Sequence, residues 1–444
     1  MSKVLIKEAA IVNEGCTTVG DVLIEDGRIS RVAPSIQTKE KVTEINARGL
    51  HLLPGAIDDQ VHFREPGLTH KATIATESRA AVAGGVTSFM EMPNTVPGAL
   101  TQELLEDKYA IAAKTSAANY SFFMGVANDN AEEVLKTNAK KNSVAGVKIF
   151  MGSSTGNMLV DNYNTLNKIF SESELLIATH CEDERVIAAN KLKYPNPTDA
   201  SFHPLIRDEE ACFESSFSAV QLAKQTGARL HILHITTARE LQLFGNMLPL
   251  AEKRITAEVC VHHLHFTADD YARLGNLIKC NPAIKAPFNR EALWEALLND
   301  RLDVIATDHA PHTWEEKQLP YVQAPAGLPL VQHPLLLMLH YYRQGKITLE
   351  KIVEKMSHAP AICFQIQERG FVREGYWADL VLVDLGQNTF VSKESLLYKC
   401  GWSPLEGMTL PARITHTLVN GTVVYRGGKT LEQPAAQRLA FERG

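Results

Sequence analysis

The chain has 444 residues, of which 45% are hydrophobic, 7% aromatic and 22% charged. This length suits a barrel domain with a smaller second domain, and the composition is that of a globular protein. The net charge is -6 without a long basic run, which argues against a nucleic-acid partner. No apolar run approaches the roughly 18 residues of a membrane span, and the seven widely spaced cysteines indicate reduced thiols. We therefore expect a cytoplasmic protein that binds neither nucleic acid nor membranes.

Both ends of the chain predict β-structure. Apolar runs flank Asp26-Gly27 near the start and Asn420-Gly421 near the end. Both dipeptides tolerate the positive φ of a tight hairpin turn, so each pair of runs predicts a β-hairpin. Residues 378–384 are rich in leucine and valine, which predicts a further strand.

The middle of the chain alternates between short apolar runs and polar stretches with helical spacing. Eight runs predict strands, at residues 55–62, 87–92, 120–125, 145–150, 175–180, 230–234, 255–260 and 302–308. Residues 101–113 are one of the helical stretches, with Thr101 as the expected N-cap. This alternation favours a parallel sheet, and eight units favour a closed barrel. An open doubly wound sheet is the alternative, but no glycine-rich dinucleotide loop follows the first run.

The predicted fold class is therefore α/β, a (β/α)8 TIM-like barrel with a small β-sandwich domain formed from both termini. We place the barrel domain at residues 54–366. The β-sandwich domain combines residues 1–53 with residues 367–444, because both segments carry the hairpin signals.

Polar residues occur at or near the carboxyl ends of five predicted strands. They are His62, Lys148, His180, His234 and Asp308. Barrel enzymes carry their catalytic groups at these strand ends. One histidine that ends a buried strand is commonly structural, but five such residues at one mouth predict a metal site.

Alternation of side chains along the first strand separates its polar residues from its apolar ones. One face carries Asp58, Gln60, His62 and Arg64. Burial of four polar side chains is costly unless they meet a ligand or a cavity.

The same alternation puts His231 and His234 on opposite faces of one strand. We expect His234 to point inward and His231 to be a packing or surface residue.

Several further histidines and cysteines have a structural interpretation. His262 and His263 are adjacent, so we expect at most one of them to support the site. Cys260 and Cys280 lie near the predicted mouth, but no second thiol completes a zinc knuckle with either. We expect both cysteines to be buried packing residues.

Lys148 and Asp308 suggest specific chemistry. A lysine inside an apolar strand would be an unpaired buried cation, which is rare. Carboxylation by carbon dioxide would convert the Lys148 amine to an anionic oxygen ligand able to bridge two metal ions. The alternative is a lysine that extends to the mouth of the barrel. The Asp308 carboxylate is placed to bind a metal and to carry a proton. A bound metal brings the pKa of its water towards about 7, so a proton is available for Asp308 to accept at neutral pH.

Four motifs resemble those of the dihydroorotases of the amidohydrolase superfamily. Residues 54–67, Pro-Gly-Ala-Ile-Asp-Asp-Gln-Val-His-Phe-Arg-Glu-Pro-Gly, look like the signature that opens this family. Residues 91–95 and 306–312 are similar to two further motifs, and residues 146–150 look like its carboxylated-lysine strand. The resemblance extends over the whole chain, including the terminal β domain.

The resemblance implies the reversible cyclisation of N-carbamoyl-aspartate to dihydroorotate, a step of de novo pyrimidine synthesis. It implies one or two zinc ions, held by His62, carboxylated Lys148, His180, His234 and Asp308, with Asp308 also catalytic. It implies substrate binding by Arg64, Asn94, Asn281, His312, Ala326 and Gly327. The guanidinium of Arg64 suits a carboxylate, because its fork can bind both oxygens. From residues alone, Asn94 could equally be a turn residue and Ala326-Gly327 a plain loop. We expect a small-molecule substrate and a homo-oligomer.

Gln60 departs from the family pattern. The family has a His-x-His pair on the first strand, and Gln60 replaces its first histidine. A neutral amide oxygen is a weaker zinc ligand than imidazole. We therefore expect the site with Lys148, His180 and His234 to bind metal more tightly than the site with His62 and Asp308.

Two other functions stay open at this point. One is a related cyclic-amide hydrolase, an allantoinase or a dihydropyrimidinase. Substrates of the latter lack the ring carboxylate that Arg64 and His312 would bind. The other is a non-catalytic barrel scaffold, which Gln60 keeps open. The sequence also leaves open whether residues 313–324 close over the substrate as a lid.

Overall fold

A computed structural model describes residues 3–39, 41–152, 158–432 and 435–444. Within these ranges, no helix has both the length and the apolar character needed to cross a membrane.

A mixed sheet of nine strands combines both ends of the chain. The N-terminal segment contributes β1 (Val4–Asn13), β2 (Cys16–Glu25), β3 (Arg28–Ala33), β4 (Thr43–Asn46) and β5 (His51–Pro54). The C-terminal segment contributes four strands of the same sheet, numbered below after those of the barrel. The order along the sheet is β19-β18-β17-β14-β5-β1-β2-β3, and β4 pairs with β1. Strands from the two ends meet where β5 pairs with β14 in antiparallel register.

Eight parallel strands form the barrel. They are β6 (Ala56–Val61), β7 (Val86–Glu91), β8 (Asn119–Gly125), β9 (Gly146–Phe150), β10 (Ile177–His180), β11 (Leu230–Ile232), β12 (Ile255–Cys260) and β13 (Val304–Ala306). They pair in sequence order from β6 to β13. A parallel bridge between Val61 and His309 closes the circle, and the His62 N–H donates to the His309 carbonyl over 2.7 Å. This arrangement confirms the predicted fold class.

The remaining strands follow the barrel. They are β14 (Leu380–Asp384), β15 (Thr389–Phe390), β16 (Thr409–Leu410), β17 (Arg413–Val419), β18 (Thr422–Arg426) and β19 (Lys429–Thr430). The strands β15 and β16 pair only with each other.

Both predicted hairpins are confirmed. The turn between β2 and β3 has φ of 53° at Asp26 and 82° at Gly27. The turn between β17 and β18 has φ of 48° at Asn420 and 73° at Gly421. These positive values are the reason for Asp-Gly and Asn-Gly at the two turns.

Helices cover the outside of the barrel. They are α1 (Ile74–Ala83), α2 (Gln102–Thr115), α3 (Ala131–Leu135), α4 (Tyr163–Glu172), α5 (Glu184–Lys193), α6 (His203–Ile206), α7 (Glu209–Thr226), α8 (Val261–His265), α9 (Tyr271–Leu274), α10 (Pro287–Leu298), α11 (Trp314–Lys317), α12 (Pro334–Arg343), α13 (Leu349–Val353) and α14 (Ala359–Phe364). The Thr101 hydroxyl caps α2 as predicted, accepting the Leu104 N–H over 3.2 Å.

Aromatic side chains fill part of the layer between strands and helices. Phe63, Phe89 and Phe122 are buried on neighbouring segments of the barrel wall, and the rings of Phe63 and Phe89 are 4.4 Å apart. Full burial of one such side chain contributes roughly 1.5–3 kcal/mol to folding. This packing leaves the polar residues of the strand ends to face the mouth.

The barrel and the mixed sheet are joined by buried polar contacts. The Asn119 side chain on β8 donates to Asp379 over 3.1 Å and accepts from Asn420 over 2.7 Å. The domain boundaries at 53/54 and 366/367 stay a prediction, as do the homo-oligomer and the cytoplasmic location.

Candidate active site

A cavity of about 290 Å³ opens at the carboxyl ends of the barrel strands. Its lining includes every residue that the sequence proposed for the site: His62, Arg64, Asn94, Lys148, His180, His234, Asn281, Asp308, His312, Ala326 and Gly327. Gln60, Phe150, Ala310 and Pro325 complete the lining. The volume is near the lower end for ligand pockets, which suits a small molecule. The roles of these residues stay proposals.

His62 and Asp308 face each other across the cavity floor. His62 Nδ1 lies 2.8 Å from Asn94 Oδ1, and its Nε2 lies 3.1 Å from Asp308 Oδ1. If the Nδ1–H donates to the Asn94 oxygen, the Nε2 lone pair points at the Asp308 carboxylate. Burial lowers the pKa of His62, which favours this neutral form. Two acceptor groups in such contact are suited to hold a cation.

His180 and His234 form a second pair. His180 Nδ1 lies 3.0 Å from His234 Nε2, and His180 Nε2 lies 2.9 Å from Glu182 Oε2. Burial alone would raise the pKa of Glu182, but Arg207 and His180 lower it to about 2, so the carboxylate is ionised. It therefore accepts the Nε2–H of His180 and leaves the Nδ1 lone pair towards His234. A carboxylate that orients a histidine in this way is typical of metal sites.

Lys148 lies in the barrel interior with 1% exposure. Its Nζ has no hydrogen-bond partner among the described residues and lies 4.5 Å from the centre of the Phe150 ring. Burial lowers its pKa to about 7, so much of the amine is uncharged at neutral pH. An uncharged amine is the form that carbon dioxide can carboxylate.

The donor set fits a metal ion. The histidine nitrogens and the Asp308 carboxylate direct lone pairs at the cavity. Within the described ranges, Lys148 Nζ and His234 Nδ1 are buried without a partner. Imidazole and anionic oxygen are ligands that zinc accepts. The residues therefore agree in chemistry with the zinc site that the sequence predicts.

Arg64 and His312 form an anion-binding corner. Burial and the Arg64 charge lower the pKa of His312 to about 3, so its ring is neutral. Its Nδ1 accepts from Lys71 Nζ over 3.0 Å, and its Nε2–H then points at the Ala326 carbonyl, 3.0 Å away. Arg64 Nη2 lies 3.1 Å from the same Nε2. Two N–H donors so close together favour an anionic oxygen that accepts from both.

Main-chain groups of the loop at Ala326-Gly327 already form hydrogen bonds within the protein. The Gly327 N–H donates to the Lys279 carbonyl over 2.8 Å, and its carbonyl accepts from Lys317 Nζ over 2.8 Å. Gly327 has φ of 137°, and a Cβ there would lie 2.5 Å from the Ala310 carbonyl oxygen. Glycine is therefore required here. Of the two residues, we expect Ala326 to contact a ligand through its main chain.

Three site residues have left-handed backbone conformations. The φ angles are 68° at Arg64, 40° at His234 and 47° at Asp308. Such conformations are costly for residues with a Cβ and cluster at functional sites. Each follows the end of a strand and turns its side chain into the cavity.

The alternation predicted along the first strand is only partly right. Gln60, His62 and Arg64 line the cavity, but Asp58 does not. The Asp58 carboxylate accepts from the Thr307 hydroxyl over 2.6 Å. Between Asp58 and Val61, two residues of β6 lie opposite one residue of β7. This bulge breaks the period of two and turns Asp59 towards the barrel interior.

Of the packing or surface position expected for His231, the buried one is found, but the expectation that only His234 of the two histidines points inward is wrong. His231 is fully buried and faces Asp59 of β6 and Glu258 of the neighbouring strand β12 in the barrel interior. His231 and His234 both reach the interior, because β11 ends at Ile232 and the left-handed turn at His234 breaks the alternation.

The remaining histidines and cysteines lie outside the cavity lining. His262 and His263 lie on α8 rather than on a strand, and their ring centres are 4.0 Å apart. The argument that adjacent residues must point apart therefore does not apply to them. Cys260 and Cys280 are buried, as predicted.

Sequence reasoning missed two supporting residues. Glu182 orients His180, and Lys71 sets the proton position on His312. Glu182 follows His180 by two positions, and that spacing was a usable signal. Lys71 lies on the loop before α1, where no local pattern marks it.

The segment of residues 313–324 is anchored at its start. The Thr313 hydroxyl caps α11, and Lys317 is buried with its Nζ on the carbonyls of Pro325 and Gly327. Further along, Val322 is exposed. Closure of residues 313–324 stays a prediction.

Comparisons with known proteins cover nearly the whole chain. A model of the Amidohydrolase family matches residues 51–424. The dihydroorotase of Halobacterium salinarum is 33% identical over 414 residues, which cover 92% of this chain and 94% of that protein. The allantoinase of Solibacter usitatus is 31% identical over 449 residues, which cover 99% of this chain and 97% of that protein.

Solved structures show the same architecture. The L-hydantoinase (dihydropyrimidinase) from Arthrobacter aurescens aligns with a TM-score of 0.93 at 26% identity. The alignment covers 99% of this chain and 100% of that one.

Proposed function

Because the chain belongs to the amidohydrolase family and is a hydrolase that acts on cyclic amides, we propose that it is a dihydroorotase. The proposed reaction is the reversible conversion of N-carbamoyl-L-aspartate to L-dihydroorotate in de novo pyrimidine (UMP) biosynthesis. Relatives with this name and relatives named allantoinase have similar identities, so the substrate must be argued from the cavity.

The observation that carries the proposal is the corner of Arg64 and His312. Burial lowers the pKa of Arg64 to about 10, so its guanidinium stays charged at neutral pH. The guanidinium offers N–H donors to a carboxylate, which would share the Nε2–H of His312 with the Ala326 carbonyl. Dihydroorotate carries a ring carboxylate, whereas dihydrouracil and allantoin do not. Asn94 lines the same cavity and would complete the carboxylate site.

The metal would be held by His62, carboxylated Lys148, His180, His234 and Asp308. Bound zinc supplies a Lewis acid for the amide carbonyl and brings the pKa of water towards about 7. Glu182 keeps His180 in the tautomer with a free Nδ1 lone pair. Asn94 accepts the Nδ1–H of His62 and so keeps His62 in the tautomer with a free Nε2 lone pair.

Asp308 is the proposed proton carrier. It accepts a proton from water as the oxygen adds to the ring carbonyl carbon. It then delivers this proton to the ring nitrogen as the carbon–nitrogen bond breaks. Asn281 and the main chain of Ala326 also line the cavity and would hold the ring amides.

Turnover of three substrates tests the proposal. We expect the pure, zinc-loaded protein to hydrolyse dihydroorotate with a higher kcat/KM than dihydrouracil or allantoin. A preference for allantoin would assign the protein to the allantoinases, and a preference for dihydrouracil to the dihydropyrimidinases. No turnover of any of the three by fully zinc-loaded protein would contradict the proposed reaction.

Substitution of Gln60 by histidine is expected to raise metal occupancy. The Gln60 Oε1 lies 3.8 Å from Cys260 Sγ and is a weak ligand, whereas imidazole at this position would support the site of His62 and Asp308. Metal content after equal dialysis, measured by mass spectrometry, checks this. The control is Gln60→Asn, which keeps an amide and should not raise occupancy. Equal metal content in Gln60→His and the unaltered protein would mean that Gln60 does not limit the site.

A further inference from the structure

Three ionisable side chains meet inside the barrel, apart from the cavity lining. Asp59 comes from β6, His231 from β11 and Glu258 from β12. The side chains of all three have 0% exposure. One nitrogen and two carboxylate oxygens of this interior triad lie within 4.8 Å of one another.

The contacts in the interior triad lie at or beyond the long end of the range for an N–H···O hydrogen bond. His231 Nε2 lies 3.2 Å from Asp59 Oδ2 and 3.4 Å from Glu258 Oε2. By contrast, His309 Nε2 and Glu77 Oε2, an equally buried pair, are 2.9 Å apart. Among the described residues, His231 Nε2, both Asp59 oxygens and Glu258 Oε2 have no hydrogen-bond partner. The polar atoms of the triad therefore point at a common centre that no described side chain fills.

The hydrogen bond on the far side of the His231 ring shows which nitrogen carries the proton. The Thr256 hydroxyl lies 3.4 Å from the Leu230 carbonyl and donates to it, so it accepts from His231 Nδ1 over 2.7 Å. Nδ1 therefore carries a hydrogen, and Nε2 faces two carboxylates. Burial alone would lower the pKa of His231, but Asp59 and Glu258 raise it to about 9, so the centre of the triad attracts positive charge. Either a proton on Nε2 or a metal ion at the centre would supply that charge, since buried anions without compensation are very costly.

We propose that Asp59, His231 and Glu258 bind a divalent zinc-type ion at a site separate from the cavity. Ligands at about 2.0–2.1 Å in a tetrahedral arrangement are roughly 3.3–3.4 Å from one another. The distances of 3.2 and 3.4 Å match this spacing. Two carboxylates and one imidazole are a ligand set typical of zinc.

The position of the ion suggests a structural role. The strand β6 is separated from β12 by β13, so the ion would link strands that do not pair with each other. The other oxygen of Glu258 accepts the His234 N–H over 3.0 Å. The interior ion would thereby hold the left-handed turn that carries His234 to the cavity.

Metal counting with matched variants tests the proposal. After dialysis against zinc, Asp59→Asn and His231→Gln are expected to hold about one equivalent less per chain than the unaltered protein. Glu77→Gln changes a buried carboxylate paired with histidine but leaves the triad intact, and it should keep the full count. A variant with both His180 and His234 replaced by asparagine should lose cavity metal and keep the interior ion. Equal counts in Asp59→Asn and the unaltered protein would show that a proton, not a metal, holds the triad.

A second measurement uses only the unaltered protein, so it does not depend on whether the variants fold. Crystals of the unaltered protein grown with zinc should give an anomalous peak at the zinc edge between Asp59, His231 and Glu258. Absence of that peak would overturn the proposal, whether or not the cavity contains zinc. A peak at the triad alone would support the interior site and count against the zinc-dependent reaction proposed for the cavity.

Discussion

Asp308→Asn is expected to lower kcat for dihydroorotate by about 10³-fold, within the range of roughly 10²–10⁴ for a positioned proton carrier. Asparagine has nearly the same shape but cannot accept and return the proton. The Asp308 carboxylate is buried at the mouth and faces His62 Nε2 over 3.1 Å, so the substitution also weakens one metal ligand. Steady-state rates at saturating zinc, with metal content measured in the same samples, separate the two effects.

Asp303, which precedes the same strand β13, provides the control. It lies at the amino end of β13, is 2% exposed and accepts from Lys253 over 2.7 Å. Barrel residues at this end serve stability rather than catalysis. Asp303→Asn should lower the free energy of unfolding by about 1–3 kcal/mol while leaving kcat nearly unchanged. If Asp308→Asn kept more than about a tenth of kcat, Asp308 would not be the proton carrier.

Arg64→Met is expected to lower kcat/KM for dihydroorotate by about 10²–10⁴-fold, because two charge-assisted hydrogen bonds of about 1.5–3 kcal/mol each are lost. Methionine fills a similar length without the charge. The activity on dihydrouracil, which has the same ring without a carboxylate, should change by no more than a few fold. Paired kcat/KM measurements with the two substrates check this result.

Lys71→Met is expected to lower the activity on dihydroorotate less than Arg64→Met does. Lys71 contacts His312 Nδ1 over 3.0 Å but is not part of the cavity lining. Its loss frees the His312 proton to move between nitrogens, so we expect a smaller loss, again confined to dihydroorotate. An equal loss on dihydroorotate and dihydrouracil in Arg64→Met would show that Arg64 shapes the cavity rather than binding a carboxylate.

The architecture followed from local patterns in the chain. Alternation of apolar runs and helical stretches predicted the barrel, and Asp26-Gly27 and Asn420-Gly421 predicted the hairpins. These features depend on neighbours in sequence, and such neighbours are what a sequence pattern reports. The strand-end rule also brought the proposed site residues to one cavity, because all strands of a parallel barrel end on the same side.

The directions of individual side chains did not follow from local patterns. The bulge at Asp59 and Gln60 and the left-handed turns at His234 and Asp308 each break the period of two. Such breaks are stabilised by contacts between distant segments. The predicted direction of the Asp58 side chain and the predicted opposite directions of His231 and His234 are therefore wrong.

The sequence by itself determined the class of fold, the mouth at which the polar residues gather and the family to which they belong. Only the tertiary structure decided how those residues are paired and protonated. Glu182 sets the tautomer of His180, Lys71 that of His312, and Thr256 that of His231. The physical reason is that a hydrogen-bond partner is chosen by distance in space, and residues far apart in the chain meet only once the barrel has closed.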